Sequence, residues 1–274
     1  MDLSNENVIH IKRNGLEYLQ FKKLLEYEDL THAYSLGLEN NFQITESNDS
    51  GKYTEKETID YKKLCDNIGS NYTHLIKPNQ HHTNSVKIVN SKEKNKPYFN
   101  MNKYYDTDGL ITKQKNVMLA TTNADCILLL FYDPVKKVIA NTHSGWRGTV
   151  QRISVETVKK MKQDFNCNPQ DIICCICPSI RKCHFEVDRD VKEIFKNEFK
   201  DLENINEIIE EKIQNKKWNI DTVLINKILL TREGLKQENI IDSKICSVCN
   251  SDLIHSYRAE KNSSRNTALI EIRQ

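Results

Sequence analysis

Three short segments carry residues whose types could do chemistry. They are Gln80-His81-His82-Thr83, Asn123-Ala124-Asp125-Cys126 and His143-Ser144-Gly145-Trp146-Arg147-Gly148. A thiol and an imidazole within reach of each other make either a nucleophilic pair or part of a metal site. Cys126 opens an apolar run that reads as a strand, and His143 closes the next one. If those strands are antiparallel neighbours joined at Asp133-Pro134, both residues lie near one end of a sheet. A histidine from residues 80–83 would then complete a set of two His and one Cys. Catalytic zinc takes three protein ligands and keeps its fourth position open, where bound water has a lowered pKa. His81 and His82 compete for that place, and spacing alone does not choose between them.

Gly145 and Gly148 are two of only eight glycines in the chain. Gly148 just precedes an expected helix, with Arg147 at its N-terminus. Free N–H groups, the helix dipole and a guanidinium together would hold a phosphate or carboxylate beside the metal. The alternative is a structural turn in which Arg147 pairs with a nearby Asp. Cys246-x-x-Cys249 invites a zinc knuckle with Cys174-x-x-Cys177. Residues 171–177 read as a strand, where positions three apart face opposite sides, so that chelate is not expected.

The elements that must position these residues follow from periodicity. Residues 117–122, 126–132 and 137–142 predict three strands. Val150, Ile153, Thr157, Val158, Met161 and Phe165 fall at helical spacing and predict a helix over 149–165. Residues 74–77, 85–89, 171–177 and 267–272 predict further strands. Residues 58–69, 187–199 and 220–232 predict helices, the first ending on Gly69. Residues 40–56 and 91–103 are polar and read as loops, the second a mobile one. Helices interleave with strands and no linker divides the chain. The expectation is one α/β-type domain over residues 1–274.

Bulk properties exclude several classes. Forty Lys and Arg against 38 Asp and Glu give a formal charge of +2 with no basic block, so nucleic acid is not an implied partner. No apolar run approaches the roughly 18 residues of a membrane helix, and the first 14 residues lack the apolar segment of a secretory signal. Nine cysteines, an odd number in a chain of this length, suit reduced thiols and a cytoplasmic setting. Neither a dinucleotide fingerprint nor a P-loop is present, so bound NAD or ATP is not indicated.

At these motifs the sequence resembles the YfiH or laccase-domain family, whose members have been called polyphenol oxidases and purine nucleoside phosphorylases. The resemblance runs from about residue 31 to the C-terminus. It is strongest over residues 122–126, 143–148, 177–187 and 246–258. The family's QVHG motif matches Gln80-His81-His82-Thr83 and selects His82. The resemblance therefore implies a metal on His82, Cys126 and His143, zinc by preference and copper as the alternative. It implies a mixed β-sandwich core flanked by helices. It also implies phosphorolysis of adenosine, inosine, guanosine or methylthioadenosine, together with deamination of adenosine. The partners would be a nucleoside and phosphate. Beside Cys126 and His143, Asp125 becomes a candidate proton carrier. Arg258 and Arg265 join Arg147 as candidates for binding the substrate's anionic part.

The sequence departs from the family in loops on the substrate side. Thr83 replaces a glycine, residues 177–182 read Cys-Pro-Ser-Ile-Arg-Lys and lose two more, and Ser263-Ser264-Arg265-Asn266 stands for TGRM. Three rivals carry different expectations. A copper-dependent phenol oxidase suits the ligand types, although a multicopper enzyme needs many more than eight His. A metal-free hydrolase or deamidase would use Cys126 and His143 directly. A non-catalytic cell-wall or division accessory protein would bind a partner instead.

Overall fold

The segment Ile127–Asp133, ILLLFYD, is apolar on both alternating faces. A strand of that kind needs cover on each side. The computed structural model describes residues 1–43, 55–90, 104–202, 205–212 and 216–274, and it supplies both covers. Ile127–Asp133 lies inside a six-stranded sheet of order Ile240–Asp242, Ile173–Ile176, Ile127–Asp133, Val138–Ser144, Gly109–Thr112, Val86–Ile88. A second six-stranded sheet runs Val8–Arg13, Leu16–Phe21, Leu30–Leu36, Asn266–Ile272, Met118–Asn123, Leu75–Ile76.

The two sheets bury one face against each other. Leu19, Tyr34, Leu119 and Ile270 of one meet Leu128, Leu130, Ile139 and Cys175 of the other. The outer face of the first sheet, through Leu129, Phe131 and Cys174, packs on the helices Ile153–Phe165 and Thr222–Arg232. The outer face of the second packs on Glu55–Asn67 through Tyr61, Leu64 and Cys65. This is the expected sandwich flanked by helices. A small third sheet, Glu186–Val187, Lys217–Ile220 and Ile209–Lys212, has its own core around Phe195 and Phe199.

Most expected elements stand within one or two residues of their predicted ends. The helix expected over 149–165 does not. It comes as Trp146–Val150 and Ile153–Phe165, because Arg152 adopts a left-handed conformation with φ 60° and interrupts the amide ladder. The hairpin of Val8–Arg13 and Leu16–Phe21 had no expected counterpart. Asn14 and Gly15, with φ 51° and 73°, make its two-residue turn. Cys174 and Cys177 fall into different cores, as the strand reading required. Parts of the two expected loops, residues 44–54 and 91–103, lie outside the described residues.

One buried polar group ties the sheets together. The Asn141 amide donates to the Leu119 and Ala268 carbonyls at 3.0 and 2.8 Å, and Thr121 Oγ1 donates to its oxygen. Removing one partner leaves the others buried without bonds. Asn141→Ala should therefore lower the unfolding free energy by about 2–4 kcal/mol, read from urea denaturation.

Candidate metal centre

Strand register brings Cys126 and His143 to one end of the sandwich. Ile127–Asp133 pairs antiparallel with Val138–Ser144, placing Ile127 opposite Ser144 and Leu128 opposite His143. The Asp133 carboxylate caps the hairpin by accepting from the Val135 and Lys136 N–H groups. Cys126 is held from the other side, since the Asn123 amide donates to its carbonyl and to that of Pro178. Gln80 fixes the third segment by exchanging hydrogen bonds of 2.8 Å with the Thr122 backbone.

The ligand atoms of His82, Cys126 and His143 all lie within 4.8 Å of one another. Cys126 Sγ is 3.9 Å from His82 Nε2, and the two imidazole rings meet edge to face at 4.9 Å. His81 turns away, with Nδ1 2.5 Å from Asp106 and its ring against Tyr105. Gly145 closes the cradle. A Cβ there would stand 2.7 Å from His82 Cδ2 and 3.0 Å from Cys126 Sγ. Only glycine lets the chain pass this close without displacing two ligands.

Asp108 organises the group, and the sequence reading missed it. Its fully buried carboxylate accepts five hydrogen bonds. They come from the backbone N–H groups of His81, His82 and Thr83, the Thr83 hydroxyl and His143 Nδ1. The three consecutive N–H groups converge because His82 has φ 62°. With Nδ1 of His143 committed at 2.8 Å, its Nε2 is the nitrogen left for a metal. Burial disfavours the Asp108 charge, but its bonds to His143 and Thr83 outweigh burial and hold the carboxyl down at about 2. The Asp108-Gly109 pair before a strand was a turn signal, yet nothing in it names a histidine partner.

Without a metal, the same residues form an ion pair. Burial opposes the Cys126 thiolate, while the His143 charge and hydrogen bonds from His143 and His82 bring the thiol down to about 6. Burial likewise opposes the His143 imidazolium, and the Cys126 charge with the Asp108 bond carries it up to about 9. Each charge favours the other, so the pair leans to thiolate and imidazolium.

The centre opens into a cavity of about 660 Å³. Trp146, Ile180, Phe185 and Tyr257 give it apolar and aromatic walls, while Lys77, Arg258 and Arg265 supply cations. Lys77 is 7% exposed, and its ammonium donates to the Pro78 carbonyl at 3.4 Å. Burial and the Arg265 charge bring it down to about 8. Arg258 donates to the His184 and Glu186 carbonyls, and Arg265 to those of Asn262 and Ser264. Among the described residues none of the three pairs with a carboxylate side chain. Lys77 also escaped the sequence reading, although a lysine after Leu75-Ile76 was a visible anomaly.

Two expectations change. Arg147 does not line the cavity. It is exposed and its guanidinium stacks 4.3 Å from the Trp146 ring, because the helix start turns it outward. Asp125 does line the cavity, but its carboxylate is already occupied. It accepts from the Ser247 and Ser256 hydroxyls at 2.6 Å and from the Arg258 N–H at 2.7 Å. That is the bonding of a group that positions its neighbours.

Fold and centre together define a helix-flanked two-sheet protein with a His–Cys–His cluster under a cationic cavity. The chain belongs to the family described as multi-copper polyphenol oxidoreductase laccase, whose model matches residues 43–273. It is 30% identical over 224 residues to purine nucleoside phosphorylase YlmD of Bacillus subtilis, covering 79% of this chain and 78% of the relative. It is 28% identical over 196 residues to adenosine deaminase RL5 of an unknown prokaryotic organism, covering 71% and 73%. The crystal structure of the Bacillus licheniformis hypothetical protein YfiH superposes with a TM-score of 0.78 at 22% identity, over 95% of this chain and all of that one. No helix among the described residues is long and apolar enough to cross a membrane.

Asp108 acts on the cluster through His143 and the residue 81–83 backbone. Asp108→Asn should weaken metal binding about 10–100-fold, measured by competition with a chromophoric chelator. Retention of wild-type affinity would mean that the ligands hold their geometry unaided.

Proposed function

We propose that this chain is a zinc-dependent enzyme that cleaves purine nucleosides with phosphate and deaminates adenosine. One observation carries the reading. A three-ligand cluster of two His and one Cys opens on a cavity that also holds three cations with no carboxylate partner among the described residues. The names of the similar proteins support the same chemistry.

The donor set suits zinc, since imidazole and thiolate are its usual ligands and three of them leave a position open. Zinc bound there supplies a Lewis acid at the cavity floor. The rest is done by the chain. Phosphorolysis forms a bond from phosphate oxygen to ribose C1′ as the bond from C1′ to the purine nitrogen breaks. The anion must therefore be held beside the sugar. Lys77 and Arg265 hold it, with Arg258 next to them. This moves the anion site from Arg147 to cations that line the cavity. Phe185, Trp146 and Tyr257 cover the purine and exclude water. Asp125 acts by fixing Ser256 and the Arg258 backbone. The substrates are adenosine, inosine, guanosine and methylthioadenosine. Nine unpaired cysteines suit the reducing cytoplasm.

A second reading has its own observation. The Cys126 thiolate and His143 imidazolium are also the pair of a metal-free hydrolase or deamidase. Chelation separates the two, because it abolishes turnover of nucleosides under the zinc reading and leaves a cysteine enzyme active.

The anion site gives a sharper test. Lys77→Met keeps the side chain's length and removes its charge. It should raise the KM for phosphate at least tenfold and leave phosphate-independent deamination of adenosine within about twofold, since one lost charge-assisted contact is worth about 1.5–3 kcal/mol. Product analysis on adenosine with and without phosphate reads both. Equal loss of the two activities would remove Lys77 from the phosphate site.

A further inference from the structure

A second cluster lies outside the centre and shares no residue with it. Cys183, His184, Cys246 and Cys249 bring three sulfurs and one imidazole nitrogen within 4.8 Å of one another. We propose that these four residues bind a second, structural zinc ion.

The distances are those of a tetrahedron waiting for its centre. Zinc bonds of about 2.3 Å to sulfur and about 2.0 Å to nitrogen imply edges of about 3.8 Å between sulfurs and about 3.5 Å between sulfur and nitrogen. Cys183 Sγ is 3.6 Å from Cys246 Sγ and 3.9 Å from Cys249 Sγ. His184 Nδ1 is 3.2, 3.8 and 3.5 Å from the sulfurs of Cys183, Cys246 and Cys249. All five edges fall close to those values. No two of these sulfurs are bonded to each other, and all nine cysteines are free. Four protein ligands close the coordination sphere, the pattern of a structural site rather than a catalytic one.

Two loops present the ligands, and each has its own support. The turn carrying Cys183 and His184 is closed by the His184 and Phe185 N–H groups, both donating to the Arg181 carbonyl. The loop from Cys246 to Cys249 is pinned by the Asn250 amide on the Cys246 carbonyl and by a bridge between Cys246 and Ser179. The remaining structural cysteines are different in kind. Cys65, Cys167, Cys174, Cys175 and Cys177 are buried singly in apolar cores, whereas Cys183 and Cys249 are exposed. Exposed thiols gathered this closely oxidise readily unless a metal holds them.

The site also has a structural task. Ser247, between the two ligand cysteines of its loop, donates to Asp125, and Arg258 donates to the His184 carbonyl. Phe185 follows His184 directly and lines the cavity. A zinc ion at this place ties the turn that carries Phe185 to the loop whose Ser247 holds Asp125, and both Phe185 and Asp125 line the cavity.

The test counts metal in the full chain purified with reductant, by elemental analysis and by cobalt(II) substitution. The wild type should hold two zinc ions per chain. Cys126→Ser should keep one, and its cobalt form should show the strong thiolate-to-cobalt charge-transfer band of a three-thiolate site. Cys249→Ser should keep one, with only the weaker band of a single thiolate. A wild type holding one zinc that Cys126→Ser abolishes would overturn the proposal. So would a Cys126→Ser protein whose cobalt spectrum lacks the three-thiolate band, whether or not Cys249→Ser folds. A disulfide among Cys183, Cys246 and Cys249 in the reduced preparation would also overturn it.

Discussion

The Asp108 carboxylate is the point on which the rest of the centre depends. A carboxylate with no exposed surface is tolerable only when its charge is met by donors. Here five donors meet it, and they come from the two segments that must be brought together. One is the extended segment around His82, which has no regular structure of its own and takes a left-handed turn at the ligand. The other is His143, at the end of a sheet strand. Asp108 itself precedes Gly109–Thr112, which pairs with Val138–Ser144, so the carboxylate's position is set by the sheet. A loop ligand is thereby placed with the accuracy of a strand.

The sandwich explains why the site is where it is. Both sheets bury their facing sides, leaving chemistry to their ends. At one end the register, with Ile127 opposite Ser144 and Leu128 opposite His143, brings Cys126 near His143, and Gly145 lets the chain cross over them without a side chain in the way. The cavity walls come from loops that the two sheets launch from that same end. Ile180 and Phe185 anchor part of this wall in the core around Phe195 and Phe199, and polar links hold the rest. Asp125 ties Ser247 and Ser256 together, and Arg258 reaches across to the turn at His184.

Much of this was legible before the structure. The apolar runs and the Asp133-Pro134 punctuation predicted the hairpin, and the hairpin predicted that Cys126 and His143 would meet. What escaped notice did so for physical reasons. Asp108 reads as a turn residue, because its role lies in partners 25 to 35 residues away. The helix after Gly148 read as continuous because its apolar spacing continues through Arg152, whose left-handed backbone leaves no mark on periodicity. Arg147 was overvalued, since adjacency to a helix start does not say which way a side chain turns. Cys246-x-x-Cys249 has a matching spacing at Cys174-x-x-Cys177, but the residues that gather beside it are others. Its neighbours Cys183 and His184 lie more than 60 residues earlier, in a turn that only the folded chain brings near. The Asn14-Gly15 hairpin was a plain signal in a segment that looked merely polar.

The central claim is that His82, Cys126 and His143 hold a metal whose open side faces the cationic cavity. Anomalous diffraction at the zinc edge from crystals of the protein as purified tests it most directly. The account predicts a peak within bonding distance of His82 Nε2, Cys126 Sγ and the His143 nitrogen not bonded to Asp108, with the remaining coordination position directed into the cavity. Absence of a peak there, with Cys126 and His143 in direct hydrogen-bond contact, would contradict it.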